Sequence, residues 1–228
     1  MILEDRKGIR PHLCLMVLLV VATLLRLPLL SSIPAGLHGD EACIGYDAYS
    51  MWETGRDQYG AFMPLFAQAF GDYDEGLHRY IVMPFVALFG LNEQAIRLPN
   101  ALAGILTVWV FYYLVLNLFQ DRRLAFLAAL LLAISPWHVH FSRWSVRAIF
   151  LPLFFCLALH LFLLGLKQPR KLVLSGLMFG LSLHTYNSAR VFIPLFLVGL
   201  VWFYRRDLWQ QRTRELPGTW VCRYLMVE

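Results

Sequence analysis

Gly36-Leu37-His38-Gly39-Asp40-Glu41 stands just beyond residues 13–30, Leu-Cys-Leu-Met-Val-Leu-Leu-Val-Val-Ala-Thr-Leu-Leu-Arg-Leu-Pro-Leu-Leu. The apolar run is long enough to cross a hydrocarbon layer as a helix, which takes roughly 20 residues. A carboxylate pair set against a bilayer wall is costly and needs a reason. Asp40 and Glu41 are therefore the first candidates for chemistry at a membrane surface.

Composition supports the membrane reading. Of the 228 residues 59% are hydrophobic and 15% are charged, whereas a soluble domain carries about a quarter charged residues. The net charge of +5 could suit a nucleic-acid partner, but no solvated basic face is present to track phosphates. Its Lys and Arg residues fall instead in short clusters between apolar segments, and nucleic acid is excluded as a partner. The four cysteines, Cys14, Cys43, Cys156 and Cys222, show no CxxC or Cys/His metal spacing. Cys14 and Cys156 read as small packing residues.

The apolar segments are 13–30, 98–119, 124–136, 148–166, 172–186 and 191–204, with a shorter run at 80–91. Arg6, Lys7 and Arg10 precede the first, which reads as an uncleaved signal anchor. Segments 124–136, 172–186 and 191–204 are short. They reach spanning length if residues 135–141 and 185–190 extend the helix ends at the outer interface. Basic clusters at Arg6/Lys7/Arg10, Arg122/Arg123, Lys167/Arg170/Lys171 and Arg205/Arg206 favour the cytoplasm. All of them lie inside only if 80–91 does not cross, so that run is expected to lie along the outer interface. The expected fold is all-α: a polytopic transmembrane helical bundle of about six spans with a long outer first loop containing juxtamembrane helices. Residues 1–12 form the cytoplasmic N-terminus, 13–205 the transmembrane domain with its first outer loop at 32–97, and 206–228 a cytoplasmic tail. The expected location is the inner or plasma membrane, multi-pass, with the N-terminus inside.

Parity puts three polar stretches on one face: 32–78, 135–147 and 184–190. The first holds eight of the fifteen acidic residues and one basic residue, Arg56. A long loop of this kind is usually functional. The second carries His138, His140, Arg143 and Arg147, and the third His184, Tyr186, Asn187 and Arg190. Carboxylates can take a proton from an acceptor hydroxyl or amine. Guanidinium groups can hold a phosphate as it leaves, and Tyr46, Tyr73, Trp137 and Trp144 can stack on sugars or sit in the interfacial belt. Plainer roles remain open for each. Asp40-Glu41 can cap a helix beginning near Ala42. Arg26, Arg143 and Arg147 can snorkel to headgroups. His138 and His140 can ligate a divalent metal together with an acid from the long loop, though the i, i+2 pair is a weak signal without that third ligand. His160 reads as a packing residue, and Asp72, Asp74 and Glu75 as a crowded turn with one candidate substrate contact, Asp72.

With its four sequence pieces, 36–42, Ala-Ile-Arg-Leu-Pro-Asn-Ala-Leu (95–102), Ser-Pro-Trp-His-Val-His-Phe-Ser-Arg (135–143) and Leu-His-Thr-Tyr-Asn-Ser-Ala-Arg (183–190), the chain resembles the N-terminal part of GT-C-type membrane glycosyltransferases. That group includes protein O-mannosyltransferases and lipid A aminoarabinose transferases, and the nearest likeness is to the dolichyl-phosphate-mannose-protein mannosyltransferase-like branch. The resemblance implies an extracytoplasmic active site, a polyprenyl-phosphate-linked sugar donor and transfer with inversion to an acceptor glycan, lipid or protein. It makes Asp40 the base with Glu41 beside it. Arg143, His138, His140, Asp72, Tyr186 and Arg190 are then the candidate substrate contacts, with the metal requirement open. The stretch 72–78 lacks the prolines usual after the second acidic site in relatives, and relatives are longer, so a truncated, inactive product is one alternative. A non-enzymatic transport or assembly subunit is the other. A transporter would place ionisable groups near the midplane, whereas here they gather at one face.

Overall fold

The computed structural model describes residues 11–209. Arg6, Lys7 and Arg10, Cys222 and most of the expected tail 206–228 lie outside the described residues. The chain runs through α1 (Pro11–Arg26), α2 (Gly39–Thr54), a hairpin of β1 (Phe66–Ala69) and β2 (Asp72–Glu75), α3 (Leu77–Phe89), α4 (Glu93–Phe119) and α5 (Arg122–Ile134). It continues through α6 (Pro136–Arg143), a 3-10 turn (Arg147–Ile149), α7 (Phe150–Gly165), α8 (Arg170–Ser182) and α9 (Ala189–Phe203).

Each apolar segment of the sequence is a helix, but few are full spans. Among the described residues, α4 with 27 residues and Arg147–Gly165 with 19 are long and apolar enough to cross a membrane. At 1.5 Å per residue α4 is about 40 Å long, beyond the ~30 Å of a hydrocarbon core. A third candidate is α5 with α6, which meet at 55°. Residues 135–141 therefore do not extend α5 in a straight line. Pro136 has no N–H to give α5, and it drives Ser135 to an extended conformation (ψ 120°) that ends the helix. The helices α1, α3 and α9 are apolar but shorter.

The core is built from small residues. Ala125, Ala129 and Ala133 make a buried stripe on α5 that meets Leu18 and Ala22 of α1 and Val108 and Tyr112 of α4. In lipid, close backbone approach of this kind replaces the hydrophobic drive available in water. At Gly104 a Cβ would fall 2.2 Å from Ser142 Oγ and 3.0 Å from Arg26 Nε. That glycine lets α6 and the Arg26 side chain reach α4.

Arg26 corrects an expectation. It does not snorkel outward but is fully buried. Its Nη1 donates to Ala22 O (3.1 Å) and Ala133 O (3.0 Å), its Nε to Ser142 Oγ (3.2 Å), and its Nη2 to His138 Nδ1 (2.9 Å). Neutral acceptors thus dissolve the charge and tie α1 to the bend between α5 and α6.

The stretch 32–97 is more structured than its sequence suggests. α2 begins with a capping box: His38 Nδ1 accepts from Asp40 N, and the Glu41 side chain accepts from His38 N. It ends on Gly55, left-handed at φ 71°. α2 packs on α3 through Ile44, Ala48, Val82 and Val86, and both rest on Ala95 and Ile96 of α4. The run expected to lie along the outer interface falls in α3, a 13-residue apolar helix. The hairpin is a departure from an all-α fold. Its strands pair from Phe66 with Glu75 to Ala69 with Asp72. The tip, Phe70-Gly71, has positive φ at both residues (49° and 86°), as a tight type I′ hairpin turn requires.

Candidate active site

Asp40 and Glu41 are adjacent in sequence and opposite in circumstance. Glu41 is 1% exposed. Its Oε1 accepts from Arg97 Nε (2.8 Å) and Ser145 N (2.9 Å), and its Oε2 from Arg97 Nη2 (2.9 Å) and His38 N (3.1 Å). A carboxylate offers about four lone-pair sites, and all are used. Burial pushes the Glu41 carboxyl up. The hydrogen bonds from Arg97, Ser145 and His38, with the Arg97 charge, outweigh it and hold the group below its ordinary value. Glu41 is thus an inward-facing anion at neutral pH. Asp40 is exposed, its side chain 63% accessible, with one weak neighbour, His38 Nδ1, at 4.0 Å. Around it stand His38, the Trp144 ring at 5.1 Å from the His38 ring, and Phe70 at the hairpin tip, which lies against Gly39.

A second group joins the remaining elements of this end. Arg79 binds Asp47 through Nε (2.6 Å) and Asp74 through Nη1 (2.6 Å). Asp74 also pairs with Arg147. Arg147 Nε lies 3.4 Å from Glu75 Oε2, and Arg190 Nη2 donates to Glu75 Oε1 at 2.6 Å. The result is an alternating ladder, Asp47–Arg79–Asp74–Arg147–Glu75–Arg190, drawn from α2, α3, β2, the 3-10 turn and the start of α9. Its outer end is Arg190, 46% exposed, with the Phe66 ring centre 5.0 Å from the guanidinium; the exposed Tyr186 ring lies 5.8 Å from that of Arg147.

The segment 144–147 connects the two groups. Ser145 gives its amide to Glu41, while Arg147 reaches the ladder. Beneath it Ser145 Oγ donates to Ile96 O (3.0 Å), and Asn100 Nδ2 donates to the carbonyls of Trp144 (3.1 Å) and Val146 (2.9 Å). Asn100 Oδ1 lies 2.8 Å from His78 Nε2, which fixes the proton on that nitrogen. Burial pushes the His78 imidazole down to about 3; the Asn100 bond opposes this, the Arg79 and Arg147 charges add to it, and the Glu41 charge opposes it.

A pH dependence follows from His78. In the unfolded chain it takes up a proton near 6.5; in the fold it stays neutral until about 3. Its contribution is fully present above 6.5 and is lost as pH falls below that value. From pH 7 to 5 the expected loss is about 2 kcal/mol. Thermal unfolding in detergent checks this: the His78→Gln protein should show a flatter slope over that interval, and an unchanged slope would refute it.

The other expected site residues fall elsewhere. His138 is fully buried against Arg26, closed to a ligand arriving from outside. His140 is exposed beside Trp144, ring centres 5.5 Å apart. Asp72 lies exposed in the hairpin and accepts from Tyr73 N (2.7 Å). Arg143 faces the α1–α2 connection. Among the described residues no three His, Cys, Asp or Glu side chains gather as a metal cluster. Arg97, Asn100 and Ser145 are not among the residues expected from sequence. An arginine inside an apolar helix, as Arg97 is, was the available signal for the first.

Comparison with known proteins gives the fold a context. No curated protein matches the sequence. Archaeal oligosaccharyltransferase AglB from Archaeoglobus fulgidus, solved with an inhibitory peptide and a dolichol-phosphate, superposes with a TM-score of 0.66 at 19% identity, over 85% of this chain and 25% of that one. The Archaeoglobus fulgidus oligosaccharyltransferase tethered to an acceptor peptide gives 0.63 at 18% identity, over 82% and 25%. Its complex with Zn and sulfate gives 0.64 at 17%, over 84% and 27%. The chain thus spans about a quarter of the length of these proteins, and the likeness is one of fold. Residues 77–226, from α3 onward, match the family described as dolichyl-phosphate-mannose-protein mannosyltransferase; Asp40 and Glu41 precede the matched stretch. The chain belongs to that family, a branch of the GT-C membrane glycosyltransferases.

Proposed function

We propose that the chain carries the acid–base end of a glycosyltransferase that moves a sugar from a polyprenyl-phosphate donor to an acceptor glycan, lipid or protein at the extracytoplasmic face. The observation that carries this reading is the division of labour at 40–41: a free carboxylate on a helix N-terminus whose neighbour is locked in place. Asp40 takes the proton of the acceptor hydroxyl or amine. The acceptor atom attacks the anomeric carbon from the face opposite the phosphate. The sugar–phosphate C–O bond breaks, and polyprenyl phosphate leaves with its electron pair, so the configuration inverts. Arg190, at the exposed end of the ladder with the Phe66 ring beside it, is the most exposed guanidinium of the ladder and the one offered to the leaving phosphate.

The placement of charge supports the face of action. The hairpin, the start of α7 and the start of α9 meet in one ladder, so they share one end of the bundle. Lys167/Arg170/Lys171 follow the far end of α7, Arg205/Arg206 the far end of α9, and Arg122/Arg123 the far end of α4, as cytoplasmic loops require. Six crossings by α1, α4, α5 with α6, α7, α8 and α9 then give a multi-pass protein of the inner or plasma membrane with its N-terminus inside. The test is donor choice. The protein in lipid vesicles, with a membrane extract as acceptor, receives a radiolabelled sugar on polyprenyl phosphate or on a nucleotide. Label should pass only from the lipid-linked donor; transfer from the nucleotide alone would overturn the reading.

A further inference from the structure

Arg97 of α4 spends its whole side chain on the α1–α2 connection and the first turn of α2. A guanidinium has five N–H donors. Two go to Glu41, as described. Nη1 donates to Leu30 O (3.1 Å) and Pro34 O (2.8 Å), and Nη2 also donates to Gly36 O. All five acceptor contacts thus fall within residues 30–41, and Arg97 is 0% exposed. Arg143 of α6 holds the same segment from another side. Its Nη1 donates to Leu25 O (3.2 Å), and its Nη2 lies within reach of Pro28 O (2.8 Å), Ile33 O (3.0 Å) and Leu29 O (3.4 Å). The acceptors of the two arginines alternate along residues 25–41: 25, 28 and 29 for Arg143, then 30 for Arg97, 33 for Arg143, and 34, 36 and 41 for Arg97.

We infer that Arg97, with Arg143 as a second arm, is a positioning residue for transfer: the pair fixes the α1–α2 connection and so sets where the Asp40 carboxylate stands. The inference rests on Asp40 being the base. A segment with no regular structure of its own would otherwise let Asp40 wander by ångströms. Neither guanidinium touches the reacting atoms; each acts through the backbone of the segment. Lysine cannot replace Arg97, because a single ammonium cannot fork across a carboxylate and also reach three carbonyls. Arg143 is likewise engaged with backbone carbonyls.

The test is a cycle of Arg97→Lys and Asp40→Asn in vesicles, reading kcat and the donor KM, with thermal unfolding as a fold control. Displacing the base costs rate, not donor binding. Arg97→Lys should lower kcat about 100-fold, the scale of a ~1 Å misplacement, with the donor KM nearly unchanged. In the Asp40→Asn background the same change should cost less than about 3-fold, since groups acting as one unit are not additive. Full additivity, or a loss confined to the donor KM, overturns the positioning role while leaving Asp40 as base. A silent Asp40→Asn overturns the base itself, and the positioning role with it. Where Arg97→Lys does not accumulate in the membrane, Arg143→Lys runs the same cycle, and non-additivity or additivity with Asp40→Asn decides the positioning role in the same way.

Discussion

Asp40→Asn is expected to lower sugar transfer by about 10²–10⁴-fold, the usual contribution of a positioned general base, and to leave the fold as it is. The two parts of this expectation come from one fact. Asp40 is 63% accessible and its nearest ionisable neighbour is His38 at 4.0 Å, so little of the fold depends on its side chain. Its backbone amide, which His38 Nδ1 caps at 3.3 Å, is untouched by the change. Asparagine has nearly the same shape and suits a helix N-terminus, but it cannot accept a proton. Glu41 cannot take over, because its lone pairs are filled by Arg97, Ser145 and His38. Measured in vesicles with a polyprenyl-phosphate donor, kcat should fall while the melting temperature stays put. Transfer at the parent rate would remove Asp40 from the reaction.

The contrast between the neighbours was only half legible in the sequence. Adjacency to a membrane segment marked both carboxylates, and charge parity put them at one end of the bundle with Arg147 and Arg190. Which of the two was free could not be read, because the partner that occupies Glu41 is Arg97, 56 residues away. The apolar segments were legible as helices because their hydrophobic runs are long and continuous. The start of α2 was marked by the acidic pair, which reads as the first turn of a helix; its extent was not, because its buried face includes Glu41 and Asp47 as well as Cys43, Ile44 and Ala48, and a face that buries carboxylates hides its own period. The hairpin was invisible for a different reason. Phe66-Ala67-Gln68-Ala69 and Asp72-Tyr73-Asp74-Glu75 hold no β-branched residue, and the strands are kept in place by the pairing of Asp74 and Glu75 with Arg79, Arg147 and Arg190. Each of those pairs depends on residues brought together by the bundle. The bend at Pro136 was marked by the proline itself. The inward turn of Arg26 depended on Gly104 clearing space on α4, which no pattern in α1 announces.

Removal of the Glu41 carboxylate carries the largest expected effect on stability. Glu41→Ala should cost about 3–5 kcal/mol, the scale for leaving one member of a buried ion pair without its partner. The size follows from what remains. Arg97 would keep its carbonyl acceptors at Leu30, Pro34 and Gly36 but lose both arms of the carboxylate fork, with its side chain still 0% exposed. The Ser145 and His38 amides would lose their acceptor as well, loosening the segment that links the two polar groups. Thermal unfolding in detergent checks this, and a shift no larger than that of an exposed substitution such as Asp40→Asn would refute it. Acid should produce the same loss reversibly. Because the folded Glu41 carboxyl is held below its ordinary value, its stabilisation is complete above the unfolded carboxylate value of about 4.3 and disappears as pH falls through the lower folded value. The Glu41→Gln protein, which has no charge to neutralise there, should lose less stability than the parent over that acid interval. A parent whose acid loss matched that of Glu41→Gln would show that the pair with Arg97 does not hold the segment.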